Sequence, residues 1–223
     1  MPNSRHERAL RKSGYRAIAG LDEAGRGALF GPVFAAAVIL DPARPVRGLD
    51  DSKLLAPERR EALAARIRER AAAWAVAAAD AFEIDRWNIL EAARLAMRRA
   101  VERLAGPADY LLVDALRVEV DLPQSALIRG DQRCFSIAAA SILAKTARDA
   151  ALNAWDQVFP EYGLAHNKGY STPDHIAALE RSGPTTLHRF SFEPVRRAAG
   201  SSHAYHTWAG YPIPQQGELF ACL

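Results

Sequence analysis

Two adjacent carboxylates, Asp22 and Glu23, close an apolar stretch, Ile18-Ala19-Gly20-Leu21, and are followed at once by Ala24-Gly25-Arg26-Gly27. Neighbouring carboxylates repel each other, and a hard divalent cation such as Mg²⁺, which takes oxygen ligands, relieves that repulsion. A solvated acidic turn is the ordinary alternative for an Asp-Glu pair. Gly25 and Gly27, one residue apart, favour the first reading because they let a backbone approach a ligand closely. Two further acids occupy comparable places. Asp114 ends the apolar run Leu111-Leu112-Val113, and Asp131 follows Arg129-Gly130 and precedes the helix-forming segment Ser136 to Lys145. Asp131 is equally suited to capping that helix. Four carboxylates carry about −4, the charge of two divalent cations, and two ions roughly 3.5–4 Å apart serve phosphodiester hydrolysis.

These acids need rigid elements to hold them. Residues 16–21 read as a first strand and residues 33–40 as a second, whose unbroken apolar character predicts burial on both faces. A helix is expected over 57–72, with Pro57 in its first turn. A strand over 74–82 and a long amphipathic helix over 84–104 follow. Short strands at 111–113 and 126–128 precede a helix over 132–159, and a last helix over 172–182 stops at Gly183-Pro184. Strands alternating with helices predict an α/β domain around a mixed sheet. Three regions are expected: a basic N-terminal tail (1–15), a catalytic domain (16–197) and a flexible C-terminal tail (198–223).

A chain of 223 residues supports one domain with a sizeable core. Its 49% hydrophobic and 25% charged residues are ordinary for a globular protein. No apolar run reaches the length of a membrane span, and the basic start is not followed by a signal-type apolar stretch. Cys134 and Cys222 lack metal-ligand spacing, so a reduced, cytoplasmic protein is expected, with Cys134 a packing residue. The net charge of +3 resides in residues 1–15, so the remainder is balanced. Nucleic acid would then be met by local basic patches rather than by a global field. The six histidines have no acid partners at obvious spacing and read as structural or surface residues.

The chain resembles type 2 ribonucleases H (RNase HII). The resemblance is carried by Gly20-Leu21-Asp22-Glu23-Ala24-Gly25-Arg26-Gly27, Gly31-Pro32-Val33, Asp51-Ser52-Lys53-Leu54, Val113-Asp114-Ala115-Leu116 and Gly130-Asp131. It continues through Ser136 to Lys145 with Arg148-Asp149, His166-Asn167-Lys168-Gly169-Tyr170 and Leu187-His188-Arg189-Phe190-Ser191-Phe192. Any one segment is weak; the ordered set is specific. It implies a ribonuclease-H-like mixed five-stranded sheet flanked by helices. It also implies metal-dependent hydrolysis on the 5′ side of ribonucleotides, in RNA–DNA hybrids or embedded in duplex DNA, leaving a 3′-hydroxyl and a 5′-phosphate.

By the same resemblance Asp22, Glu23, Asp114 and Asp131 hold two divalent cations, Mg²⁺ or Mn²⁺, with Asp22 as the bridge. The backbone of Gly25-Arg26-Gly27 senses the 2′-hydroxyl, and Tyr170 stacks beside the sugar at the RNA–DNA junction. Ser52, Lys53 and Lys145 are candidates for phosphate contacts, although a solvated Lys53 and a core Tyr170 are the plain alternatives. Ala28 stands where the family often has Pro, and Arg129 where Lys is common; neither touches the four acids. Another carboxylate-metal nuclease of the same fold, and a non-catalytic binder of RNA–DNA hybrids, are the competing readings. A monomer is expected. Near the C-terminus, Gln216, Leu219 and Phe220 resemble the short bacterial sliding-clamp-binding peptide, with Leu-Phe as apolar anchors.

Overall fold

The computed structural model describes residues 2–200. Its centre is one five-stranded sheet of order β3-β2-β1-β4-β5, built from β1 (Ile18–Ala24), β2 (Val33–Ile39), β3 (Ala73–Ala79), β4 (Tyr110–Asp114) and β5 (Gln124–Leu127). β1 pairs antiparallel with β2 and parallel with β4; β2–β3 is antiparallel and β4–β5 parallel. The helices are α1 (Arg5–Lys12), α2 (Pro57–Arg70), α3 (Ala81–Glu102), α4 (Phe135–Val158), α5 (Leu164–Asn167), α6 (Pro173–Ser182) and α7 (Glu193–Ala199). This is the expected mixed α/β sheet, flanked by helices on both faces.

Residue size explains how the layers fit. β1, β2 and β3 are rich in alanine, and alternate positions bury against α3 on one face and against α2 and α4 on the other. Backbone meets backbone at Gly20, where an added Cβ would lie 2.1 Å from the carbonyl carbon of Ser136. Only glycine lets the first turn of α4 press onto β1 there, and this contact brings α4 beside the residues that follow Gly20.

Four boundaries differ from expectation for identifiable reasons. β1 does not stop at residue 21. Its ladder with β2 continues through Asp22↔Ala36, Glu23↔Ala35 and Ala24↔Phe34, so the acidic pair lies inside the strand rather than beyond it. β3 stops at Ala79 because Asp80 and Glu83 form a reciprocal capping box, Glu83 N–H donating to Asp80 at 2.8 Å and Asp80 N–H to Glu83 at 3.0 Å. α3 is interrupted at Asn88 (φ 71°, ψ 164°), whose side chain accepts from the N–H groups of Leu90 and Glu91 and so starts the second half.

α4 begins at Phe135 rather than 132, and Asp131 does not cap it: Asp131 sits in a separate 3₁₀ turn, Gly130–Gln132. The cap comes from far away in sequence. Glu7 on α1 is buried and accepts the Ser136 N–H at 2.9 Å and the Cys134 thiol at 3.2 Å. The segment expected as a basic tail is thus a docked helix, with Leu10 and Tyr15 packed against Ile18, Leu112, Cys134 and Ile137. Cys134 is buried, as a packing residue should be, and burial beside Glu7 pushes its thiol up to about 12.

Candidate active site

Asp22 and Asp114 come together because β1 and β4 are adjacent and parallel. The last registered pair is Leu21↔Val113, and one residue further each strand carries its carboxylate. Ala115, just after β4, turns the chain with a left-handed φ of 51°. The chain returns through β5 to Arg129, also left-handed, and the Gly130 N–H donates to Asp114 Oδ1 at 2.6 Å. That bond places the turn bearing Asp131 beside β4. Among the described residues no three His, Cys, Asp or Glu side chains already close into a cation cage; the acids are linked pairwise.

The four acids share an electrostatic state. Burial raises the carboxyl of Asp22 well above the ordinary range, reinforced by the charges of Glu23 and Asp114 and opposed by hydrogen bonds from Ser141 and the Glu23 N–H. Glu23 is raised by burial, against the pull of the Arg26 guanidinium 3.4 Å away. Its Oε2 is buried and without a hydrogen-bond partner. Asp114 and Asp131 are likewise raised, first by burial, and in both cases a further carboxylate, Asp51, adds to the rise. Lys53 is the cation that opposes the rise at Glu23, Asp114 and Asp131 alike.

Of the expected phosphate contacts, Lys53 is exposed at the rim of this cluster. Ser52 is buried, its hydroxyl 2.8 Å from that of Ser141. Ser141 in turn favours the charged form of Asp22, so the serine pair links the loop of Ser52 to that carboxylate. Lys145 lies one turn further along α4 and donates to Asp149 at 2.7 Å; burial lowers its ammonium pKa. Asp51, which the sequence did not single out, is buried and accepts from Gln132 Nε2 at 3.2 Å, linking the loop before α2 to the turn of Asp131.

The glycine loop and Tyr170 meet over two buried arginines. Gly25 has a φ of 96°, and a Cβ there would lie 2.0 Å from Arg148 Nε. Arg148 donates to the Lys168 carbonyl at 2.9 Å and lies under the Tyr170 ring, 5.3 Å from its centroid. Its guanidinium therefore spaces Tyr170 from Gly25. Arg189 donates to the carbonyls of Gly31 and Arg26, both at 2.9 Å, which fixes the other side of the loop. Tyr170 is 38% exposed, so its ring is a surface presented to solvent beside Gly27 and not a core aromatic. His166 is exposed; Gln216, Leu219 and Phe220 lie outside the described residues.

A family model described as Ribonuclease HII matches residues 19–195. The chain belongs to the ribonuclease HII family. It is 66% identical over 190 residues to the Ribonuclease HII of Solibacter usitatus, covering 85% of this chain and 83% of that one. With the Ribonuclease HII of Laribacter hongkongensis it shares 58% over 185 residues, covering 82% and 93%. The fold matches the ribonuclease H2 of Pyrococcus horikoshii with a TM-score of 0.71 at 25% identity, over 82% of this chain and 97% of that one. It also matches the RNase HII of Archaeoglobus fulgidus, solved in a complex with PCNA, with a TM-score of 0.68 at 26% identity over 81% and 96%. Bst-RNase HIII, solved with Mn²⁺, shares the fold at a TM-score of 0.67 and 21% identity. The chain is an endoribonuclease of the ribonuclease H class, which removes the reading as a mere hybrid-binding module.

Proposed function

We propose that this ribonuclease HII hydrolyses the phosphodiester on the 5′ side of ribonucleotides, in RNA–DNA hybrids and in duplex DNA holding embedded ribonucleotides, leaving a 3′-hydroxyl and a 5′-phosphate. The observation that carries the metal part is the donor set. All four carboxylates are raised by burial, the Oε2 of Glu23 among them is buried without a hydrogen-bond partner, and hard divalent cations, Mg²⁺ or Mn²⁺, are the partners such oxygens take. Asp22, Glu23, Asp114 and Asp131 would hold two of them. Bound there, such ions supply an ionised water and charge stabilisation of the departing oxygen. Asp22, central in the sheet and oriented by Ser141, is suited to the shared position. Lys53, exposed at the rim, would meet a phosphate.

Selection of a ribonucleotide requires a group that senses a 2′-hydroxyl, which both donates and accepts. The exposed Tyr170 ring and the Gly25–Gly27 backbone, spaced by Arg148, form the surface suited to it. The test is a labelled duplex with one ribonucleotide, incubated with Mg²⁺, Mn²⁺ or chelator. Single cleavage on the 5′ side of the ribose, with metal only, is expected; cutting of an all-DNA duplex at equal rate would sink the reading.

The enzyme is proposed to act as a cytoplasmic monomer, and no described helix is long and apolar enough to cross a membrane. A sliding clamp is the proposed partner of Gln216, Leu219 and Phe220, a reading favoured by the Archaeoglobus relative having been solved with PCNA. Leu and Phe buried together would contribute roughly 3–6 kcal/mol before ordering costs. A peptide of residues 211–223 should bind the clamp at micromolar concentration and lose binding with Leu219→Ala and Phe220→Ala. Silence at hundreds of micromolar excludes it.

A further inference from the structure

His175 and His188 are both fully buried, and neither touches the acidic cluster. Their nitrogens form a chain whose direction is fixed at one end. The Thr185 main-chain N–H, which can only donate, points at His188 Nδ1 at 2.9 Å. His188 Nδ1 therefore carries a lone pair, and the ring's proton sits on Nε2. His188 Nε2 lies 3.2 Å from His175 Nε2, so His175 accepts there. The proton of His175 is left on Nδ1, which donates to the Tyr170 carbonyl at 2.9 Å. Three hydrogen bonds run one way, and each ring bears one proton.

Both ends of this chain connect to the proposed recognition surface. The carbonyl at its end belongs to Tyr170. The segment at its start, 185–189, also holds the glycine loop: Gly31 N–H donates to the Leu187 carbonyl at 2.8 Å, Arg189 N–H to Leu29 at 2.9 Å, and the Arg189 guanidinium to Arg26. Phe30 and Tyr162 enclose His188, each ring centroid 4.8 Å away. Burial lowers both imidazole pKa values, His188 to about 3, so the one-proton state persists at neutral pH.

We propose that His175 and His188 are positioning residues for ribonucleotide recognition: a hydrogen-bond relay of fixed direction that references the Tyr170 backbone to the same segment that holds the Gly25–Gly27 loop. The inference rests on Tyr170 acting in ribonucleotide recognition. A pair of ordinary core histidines would need only volume. The relay needs a donor aimed at the Tyr170 carbonyl.

The first test uses the intact wild-type protein with ¹⁵N-labelled histidine at neutral pH. His175 is expected as the Nδ1–H tautomer and His188 as the Nε2–H tautomer; the opposite tautomer in either ring overturns the relay, whatever Tyr170 does. The second test compares His175→Leu with His175→Asn, whose amide nitrogen replaces Nδ1. The Leu variant is expected to raise KM for a single-ribonucleotide duplex about tenfold, with metal affinity unchanged, and the Asn variant to recover most of the loss. A folded Leu variant with normal KM, or an Asn variant equally impaired, overturns the proposal. Tyr170→Ala run alongside separates the two levels. Normal cleavage by it removes the role of Tyr170 and the relay with it, whereas an impaired Tyr170→Ala beside a normal His175→Leu removes the relay alone.

Discussion

Asp22 combines burial, two like charges and one orienting hydroxyl, and each has a measurable consequence. Asp22→Asn keeps the shape and removes the charge that burial disfavours, so without metal the variant should be at least as stable as the parent. Cleavage should fall at least about 10³-fold, some 4 kcal/mol of transition-state stabilisation. A folded variant with near-normal turnover would refute the assignment. Asp131→Asn should lose less, since Asp131 lies in a turn at the edge of the cluster, and equal losses would count against a shared position for Asp22. Gly25→Ala meets two obstacles, the positive φ and the Arg148 side chain, and should cost roughly 1–3 kcal/mol by thermal denaturation. An unchanged melting temperature would show that Arg148 yields freely. The four acids and the glycine loop stood out in the sequence as site candidates because motif and apolar context agreed, whereas Tyr170 stood out only through the family resemblance. Asp51, Arg148 and Arg189 lie in the segments that carry the resemblance but were given no role of their own: an acid in an Asp-Asp pair reads as a solvated turn, and a lone arginine is seldom fully buried. Only the third dimension shows which carbonyls accept from the two arginines and which N–H groups donate to Asp51.

Elements were more legible than their ends. Apolar runs located all five strands, and alanine, arginine and glutamate marked α2. The boundaries moved wherever a partner outside the local window decided them. β2 extends β1 through Ala24, and Asn88 divides α3 with its own side chain. The apolar Ala81-Phe82, enclosed by the capping box of Asp80 and Glu83, carried the expected strand too far. At this scale the imidazole pair makes a prediction of its own. His188 is neutral in the fold down to about pH 3, whereas in the unfolded chain it protonates near its ordinary 6.5. Below that value the unfolded state binds more protons, so the contribution is whole above pH 6.5 and fades as pH falls towards 3. Between pH 6.5 and about pH 5 the loss is roughly 2 kcal/mol. Urea denaturation of His188→Asn and parent across that range checks this; parallel stability curves would contradict a buried neutral His188.

Across the whole molecule, what could not be read was which distant pieces meet. Nothing in the spacing of Glu7 announces that it will cap a helix 129 residues later, because charge on a short amphipathic segment looks the same whether docked or free. Glu7→Ala leaves the Ser136 N–H unpaired beside the β1–α4 contact and should cost about 1–2 kcal/mol in chemical denaturation. A change below about 0.3 kcal/mol would mean that water replaces the carboxylate at no cost. The same arrangement sets an order of events during synthesis. α1 leaves the ribosome before every strand of the sheet, yet its seat, the opening turn of α4, is made only after all five strands. Until then the helix has nothing to hold, since eight residues are too few to persist alone. A segment made before the sheet is thus fastened after it, and its docking marks a polypeptide that has reached Ser136 and closed its sheet.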